Sequence, residues 1–420
     1  MHRSRPALHP LALAAVLAFT PQAAVAAACA GFGFNLLPGG PASNTSVALG
    51  GEVAVHAVTG DLNADGRPDV VSANVNSGDI VVALGTGTGS VAPTPASPID
   101  LPNNARATGL ALGDFNADGR LDIVVSQLIV GATIFLGNGA GGFTMAGNVG
   151  YGTGANIMER VAVGDFDGDG DLDIALTDAG QDRLRLAFGD GLGGLLASST
   201  LLTSPALDLP VGLASGDVTG DGILDLVTVG GLSDQMVVFA GNGSGGFSAT
   251  STQLAVLDAS ATPRDVSLAD IDRDGRLDAL VASRVFRNNA GVPPSPFDRA
   301  LVFAGITGGL AATATPVALG SDVQAVIAAD FNADGRTDLA AANAAFGFRG
   351  AMALRQPDGS YPSALLVDSG GDSQSALAAD FDSDGFLDLA LLNAGLVPSL
   401  SIHLNTCSAD PVFDDGFEDP

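Results

Sequence analysis

The sequence predicts an all-β protein, a seven-bladed β-propeller with a metal loop between strands 1 and 2 of each blade. Three observations carry this. The pattern D-x-[DNT]-x-D-G-x-x-D recurs seven times, at intervals of roughly 50–60 residues, which is the period of a blade-sized repeat. Short apolar runs of strand type flank every copy. The 420 residues are 46% hydrophobic but only 5% aromatic, with no Trp, so a disordered chain is excluded and the core must be built from Val, Leu, Ile, Ala and Phe.

The loops occupy residues 61–69, 114–122, 165–173, 217–225, 270–278, 330–338 and 380–388. The second copy shows the whole unit. An apolar run at 108–112 leads into the loop and another at 121–125 leaves it. A third follows at 132–136, then the Gly-rich turn 137–143, whose Gly and Asn supply the positive φ of a tight hairpin. A fourth, less regular run reaches the next loop. Four short strands per repeat, seven times over, read as propeller blades.

Position six of the loop is always Gly, where the chain must turn sharply. Alternate side chains of such a loop can converge on one point, and calcium takes six to eight oxygen ligands. The expected side-chain ligands are positions one, three, five and nine: Asp61, Asn63, Asp65 and Asp69; Asp114, Asn116, Asp118 and Asp122; Asp165, Asp167, Asp169 and Asp173; Asp217, Thr219, Asp221 and Asp225; Asp270, Asp272, Asp274 and Asp278; Asp330, Asn332, Asp334 and Asp338; Asp380, Asp382, Asp384 and Asp388. Position seven would give a backbone carbonyl, from Arg67, Arg120, Asp171, Ile223, Arg276, Arg336 and Phe386, which explains why its side chain varies. An EF-hand fails, because it needs Glu at position twelve and flanking helices. Simple Asx-turns would not require three or four carboxylates per loop. Up to seven Ca2+ are expected, in structural roles. Loops three, five and seven have four carboxylates, and loop four, with Thr219, should bind most weakly.

The repeats resemble the FG-GAP (VCBS-type) repeats of integrin α-chain propellers and of many secreted bacterial proteins. The stretch Val163-Gly164-Asp165-Phe166-Asp167-Gly168-Asp169-Gly170 matches that family closely, and the resemblance covers roughly residues 29–407. It implies a calcium propeller whose integrin-type members bind ligands on the face opposite the calcium loops. On that face, blades five and six concentrate Arg and aromatic residues, types enriched at binding hot spots: Arg284, Phe286, Arg287, Asn288 and Arg299, then Phe348 and Arg349. An ordinary solvated insertion explains them too.

The ends carry further signals. Arg3 and Arg5, an apolar run at 11–19 and small residues at 24–28 form the parts of a secretory signal, residues 1–28, too short to span a bilayer. The mature chain would then be a propeller over 29–407 and an acidic tail over 408–420. In an oxidising compartment Cys29 and Cys407 suggest a disulfide. Residues 404–407 match the front half of the turn after strand three, and residues 29–32 the back half. The N-terminal segment would thus supply the last blade's missing strand and close the ring. A lipid-modified Cys29 is the alternative. The tail resembles Phe-Asp-Gly-Phe-Glu endings of some secreted proteobacterial proteins, which implies a sorting role; a disordered acidic tail is equally compatible.

A formal charge of −29, with every basic residue Arg, excludes a nucleic-acid backbone binder. More than half of the acidity belongs to the loops, so it does not itself call for a cationic partner. Beyond the signal only His56 and His403 remain as imidazoles, and both read as packed strand residues. The expected function is a secreted or cell-surface monomer that recognises an extracellular protein or glycan without catalysis. A polysaccharide lyase or hydrolase on the same frame is the alternative.

Overall fold

The computed structural model describes residues 44–150, 157–233, 235–253, 261–285, 299–344, 350–362, 364–395 and 397–405. They form seven antiparallel blades, six of four strands and the first of five, where Ile99–Asp100 also pairs with the third strand; a two-stranded hairpin, Gly305–Ile306 with Gly309–Leu310, extends blade five. Blade two runs Ala107–Gly113, Asp122–Gln127, Gly131–Gly137 and Phe143–Gly150, so each apolar run anticipated from the sequence is a strand. The first strands of successive blades pack side by side and close on themselves, which makes the ring. No α-helix occurs among the described residues.

Burial is greatest in the second strands and lower in the first strands, nearer the axis. Every residue of the second strands Asp69–Asn74, Asp122–Gln127, Asp173–Asp178, Asp225–Gly230 and Asp338–Asn343 is buried, because both sheet faces meet a neighbouring blade. Fourth strands face solvent on one side, as Phe143–Gly150 shows by its alternation of half-buried and exposed residues. The core is a set of apolar wedges between adjacent blades. Blades one and two share Leu62, Val71, Val82, Leu110 and Ile123; blades seven and one share Val70, Val81, Phe381, Leu392 and Leu400. Aliphatic side chains together with Phe, the largest being Phe166, Phe239, Phe303, Phe331 and Phe381, fill the wedges without Trp.

The ring closes through Asn44–Ala48, which pairs antiparallel with Ser399–His403 and becomes the fourth strand of blade seven. Leu49 N–H adds a bond to the Pro398 carbonyl at 3.0 Å. Among the described residues this pairing runs from Asn44 opposite His403 to Ala48 opposite Ser399. Cys29, Cys407 and the tail lie outside the described residues.

Candidate metal centre

Each loop begins where a first strand ends on a small residue paired with position nine, as in Gly113 opposite Asp122 and Ala269 opposite Asp278. Position six is left-handed in every copy, from φ 80° at Gly66 to 95° at Gly170. Position four is left-handed too. Only Gly168 and Gly220 suit it; Ala64, Ala117, Arg273, Ala333 and Ser383 adopt φ of 52° to 64° there. A non-Gly residue in this region costs about 1–2 kcal/mol, strain that persists where surrounding bonds over-determine the conformation. Those bonds are visible. In loop two, Asp114 accepts the Asp118 and Gly119 N–H groups at 3.0 and 2.8 Å, and Asp118 accepts that of Arg120 at 3.0 Å.

Position nine has a role that its pattern did not disclose. Its carboxylate is buried and straps the loop's start to the last residue of strand three or, in blades five to seven, to the second residue beyond it. Asp122 accepts Phe115 N–H and Gly137 N–H, both at 2.8 Å. Asp69, Asp173, Asp225, Asp278, Asp338 and Asp388 repeat the arrangement; the second donor is Arg355 in blade six and Asn405 in blade seven. The close approach explains Gly137: a Cβ there would lie 2.2 Å from the Leu121 carbonyl oxygen. Position two was also overlooked. Leu62, Phe115, Phe166, Val218, Ile271, Phe331 and Phe381 are all at most 3% exposed, and each inserts into an inter-blade wedge. The signal was present as an apolar residue in all seven copies.

Burial raises the position-nine carboxyls above the ordinary range, to about 6 for Asp69 and about 7 for Asp173, Asp338 and Asp388. Asp122, Asp225 and Asp278 shift the same way for the same cause. Backbone N–H bonds oppose the shift in all seven, and neighbouring loop carboxylates add to it in six of them. Such a site is short of positive charge.

In loops three, five and seven, three carboxylates converge: Asp165, Asp167 and Asp173; Asp270, Asp272 and Asp278; Asp380, Asp382 and Asp388. In each, one oxygen per residue lies within 4.8 Å of the others. That span suits a cation with oxygens at about 2.3–2.6 Å, and an all-oxygen donor set suits a hard divalent ion. These three loops carry Asp at position three. Loops one, two and six instead turn the Asn amide toward position five, as Asn63 Nδ2–H does to Asp65 at 3.1 Å. Position five is not in the converging sets. It pairs with the Arg at position seven in loops one, two, five and six: Arg67 with Asp65 at 3.7 Å, Arg120 with Asp118 at 3.4 Å, Arg276 with Asp274 and Arg336 with Asp334. The variable position therefore has side-chain work as well as a carbonyl.

The model of the FG-GAP-like repeat matches residues 61–125, 130–176 and 217–281. Those three stretches are FG-GAP-like repeats. No curated protein matches it. Among solved structures, an Agrocybe aegerita lectin described as recognising non-reducing terminal N-acetylglucosamine is 18% identical, with 82% of this chain and 86% of that one covered and a TM-score of 0.51. A chain of a complex of BBS1N with ARL6DN is 12% identical, covering 88% and 98%, at 0.54. A protein from Lactobacillus plantarum is 15% identical, covering 71% and 82%, at 0.51. At these identities the likeness concerns the fold.

Of the Arg/Phe patch, Phe286, Arg287, Asn288, Phe348 and Arg349 lie outside the described residues. Arg284 and Arg299 sit on the paired strands Asp278–Val285 and Arg299–Phe303. His403 is buried and His56 half-buried. Burial, with Arg160 nearby, pushes His56 down to about 3, and burial pushes His403 to about 4, so both are neutral at neutral pH. His56 Nδ1 accepts Leu110 N–H at 3.2 Å.

Proposed function

We propose that the protein is an exported, calcium-stabilised β-propeller that recognises a protein or glycan ligand without catalysis. The observation supporting calcium is the convergence of three carboxylates in each of loops three, five and seven. Positions one, three and nine would hold the ion, joined by the position-seven carbonyl and, in other loops, by Asn or Thr219. Bound calcium would neutralise the loop and fix the hairpin between strands 1 and 2. Metal analysis of the purified protein at millimolar calcium is expected to find up to seven ions, with loop four emptied first. Fewer than four would defeat the structural-site reading. Recognition is supported by the concentration of Arg and Phe that the sequence places at 284–299 and 348–349; a glycan and protein array with calcium present tests it. The Agrocybe aegerita lectin shares the fold, so glycans are the first class to screen.

Export and ring closure belong to the same proposal. Non-reducing peptide mapping of secreted protein is expected to return a Cys29–Cys407 peptide. It would protect the closing strand more than the central blades, because a disulfide acts chiefly by restricting the unfolded ends. A free Cys407 with lipid on Cys29 would make the protein a tethered lipoprotein instead.

A further inference from the structure

The Asp loops are joined, blade to blade, by one run of hydrogen bonds. Each position-nine carboxylate holds position two of its own loop and the residue where the chain turns out of strand three, as Asp173 does with Phe166 and Gly189 at 2.8 Å. That same turn reaches across to the preceding blade. Gly89 N–H donates to the Phe381 carbonyl, Gly193 to Phe115 and Gly245 to Phe166, each at 3.0 Å, and Gly308 donates to Thr219 at 3.2 Å. Side chains take the place of glycine in blades six and seven. The Arg355 guanidinium donates to the Ile271 carbonyl, and Asn405 Nδ2 donates to that of Phe331 at 2.5 Å. Both residues also give their backbone N–H to position nine of their own blade, Asp338 and Asp388. The belt thus runs from loop two through loop seven to loop one. Among the described residues no donor reaches the Leu62 carbonyl, so it is open between blades one and two.

In five of the six links the acceptor is position two, the residue between the expected ligands at positions one and three; in loop four it is Thr219, position three itself. Phe166 is therefore gripped twice, at its N–H by Asp173 of its own loop and at its carbonyl by Gly245 of blade four. Adjacent loops touch as well. Gly113, Gly164 and Gly216 end their first strands where a Cβ would lie 2.5–2.6 Å from Leu172, Leu224 or Leu277, position eight of the next loop. Loops five and six add an exposed ion pair, Arg273 with Asp330 at 3.7 Å, of a kind that contributes little in water. A change of shape in one loop is thus passed to the turn that holds the next loop's carboxylate.

We propose that this belt makes calcium filling cooperative around the ring, with Arg355 and Asn405 as positioning residues for the loops of blades five and six. In a filled loop the position-nine carboxylate is fixed. It fixes the turn out of strand three, and that turn fixes position two of the preceding loop between its ligands. The ordering cost of the preceding loop is then already met, and coupling between sites is reciprocal, so filling spreads in both directions. The proposal rests on the calcium reading and adds regulation to it. Native mass spectrometry of the full chain, chelated and then titrated with calcium, counts ions per molecule. Empty and nearly full molecules are expected to coexist at half filling, with a Hill coefficient of at least about 2, whereas independent sites, equal or not, give at most about 1. Arg355→Met keeps every ligand and the backbone bond to Asp338 while cutting the belt between blades five and six; half-filled molecules are expected to rise at least about fivefold. Should that variant fold poorly, Asp167→Ala supplies the second reading. It removes a ligand from loop three and no strap, and is expected to lose one ion and to raise the calcium needed to half-fill the remaining loops about fivefold. A random spread of ion counts in the parent, an unchanged spread in well-folded Arg355→Met, or an unmoved midpoint in Asp167→Ala overturns the belt while leaving calcium in place. Fewer than four ions at millimolar calcium removes the calcium reading and the belt with it.

Discussion

Chelation of calcium is expected to lower the melting temperature by on the order of 10 °C. A ligand held only by the native state contributes about 2.7 kcal/mol at a hundred times its Kd, and three saturated loops contribute about three times that. One kcal/mol moves a domain of 150–250 residues by about 2–4 °C, and a longer chain by less. The pH dependence should separate the two states. Without calcium, Asp69, Asp173, Asp338 and Asp388 hold protons to about pH 6–7 in the fold but only to about pH 4 when unfolded, so stability declines as pH rises through that window. His56 and His403 act in the opposite direction, but only below about pH 6.5, where an unfolded imidazole takes up a proton. In chelator, the melting temperature should therefore fall from pH 6.5 to pH 8. In millimolar calcium that fall should vanish, because deprotonated loops bind the ion. Scanning calorimetry at both pH values decides it. The same fall with and without calcium would detach the loops from the metal.

Replacing Asp225 by Ala is expected to cost about 3–5 kcal/mol whether or not calcium is present. Its carboxylate accepts Val218 and Thr219 N–H at one oxygen and Gly241 N–H at the other, each at 2.9 Å. Truncation strands these donors, and a buried unpaired donor costs about 1–3 kcal/mol. Asp167→Ala is the matched control. Position three makes one long bond, to Asp169 N–H at 3.3 Å, so its loss should show in calcium and nearly disappear in chelator. Urea denaturation of both variants in both conditions reads the difference. An Asp225→Ala cost below about 1 kcal/mol would refute the strap, and an equal Asp167→Ala cost in both conditions would remove position three from the metal.

The loops were legible because metal-ligand chemistry is local: residue type, spacing and an obligatory turn residue all fall within nine positions. The apolar runs of blade two were legible for a similar reason, since strand period and turn residues act at short range. The hidden jobs were those that depend on tertiary contacts, with the next blade or with the far end of strand three in the same blade. Position two reads as one more apolar residue until Phe166 or Phe331 is seen filling a wedge built by two repeats. Position nine reads as a ligand until Asp388 is found accepting N–H groups from Phe381 and from Asn405.

The sequence by itself determined the repeat number, the blade plan, the acidic loops and the absence of a basic face. Each is written in residues close together in the chain. Only the tertiary structure decided which residues join one loop to the next. Phe115 and Gly193, or Ile271 and Arg355, belong to different repeats, and no spacing within one repeat relates them. They meet because seven first strands close into a ring, which sets the turns after the third strands against the loops of the blades before. Closure brings together what the chain keeps more than one repeat apart, a length of about fifty residues.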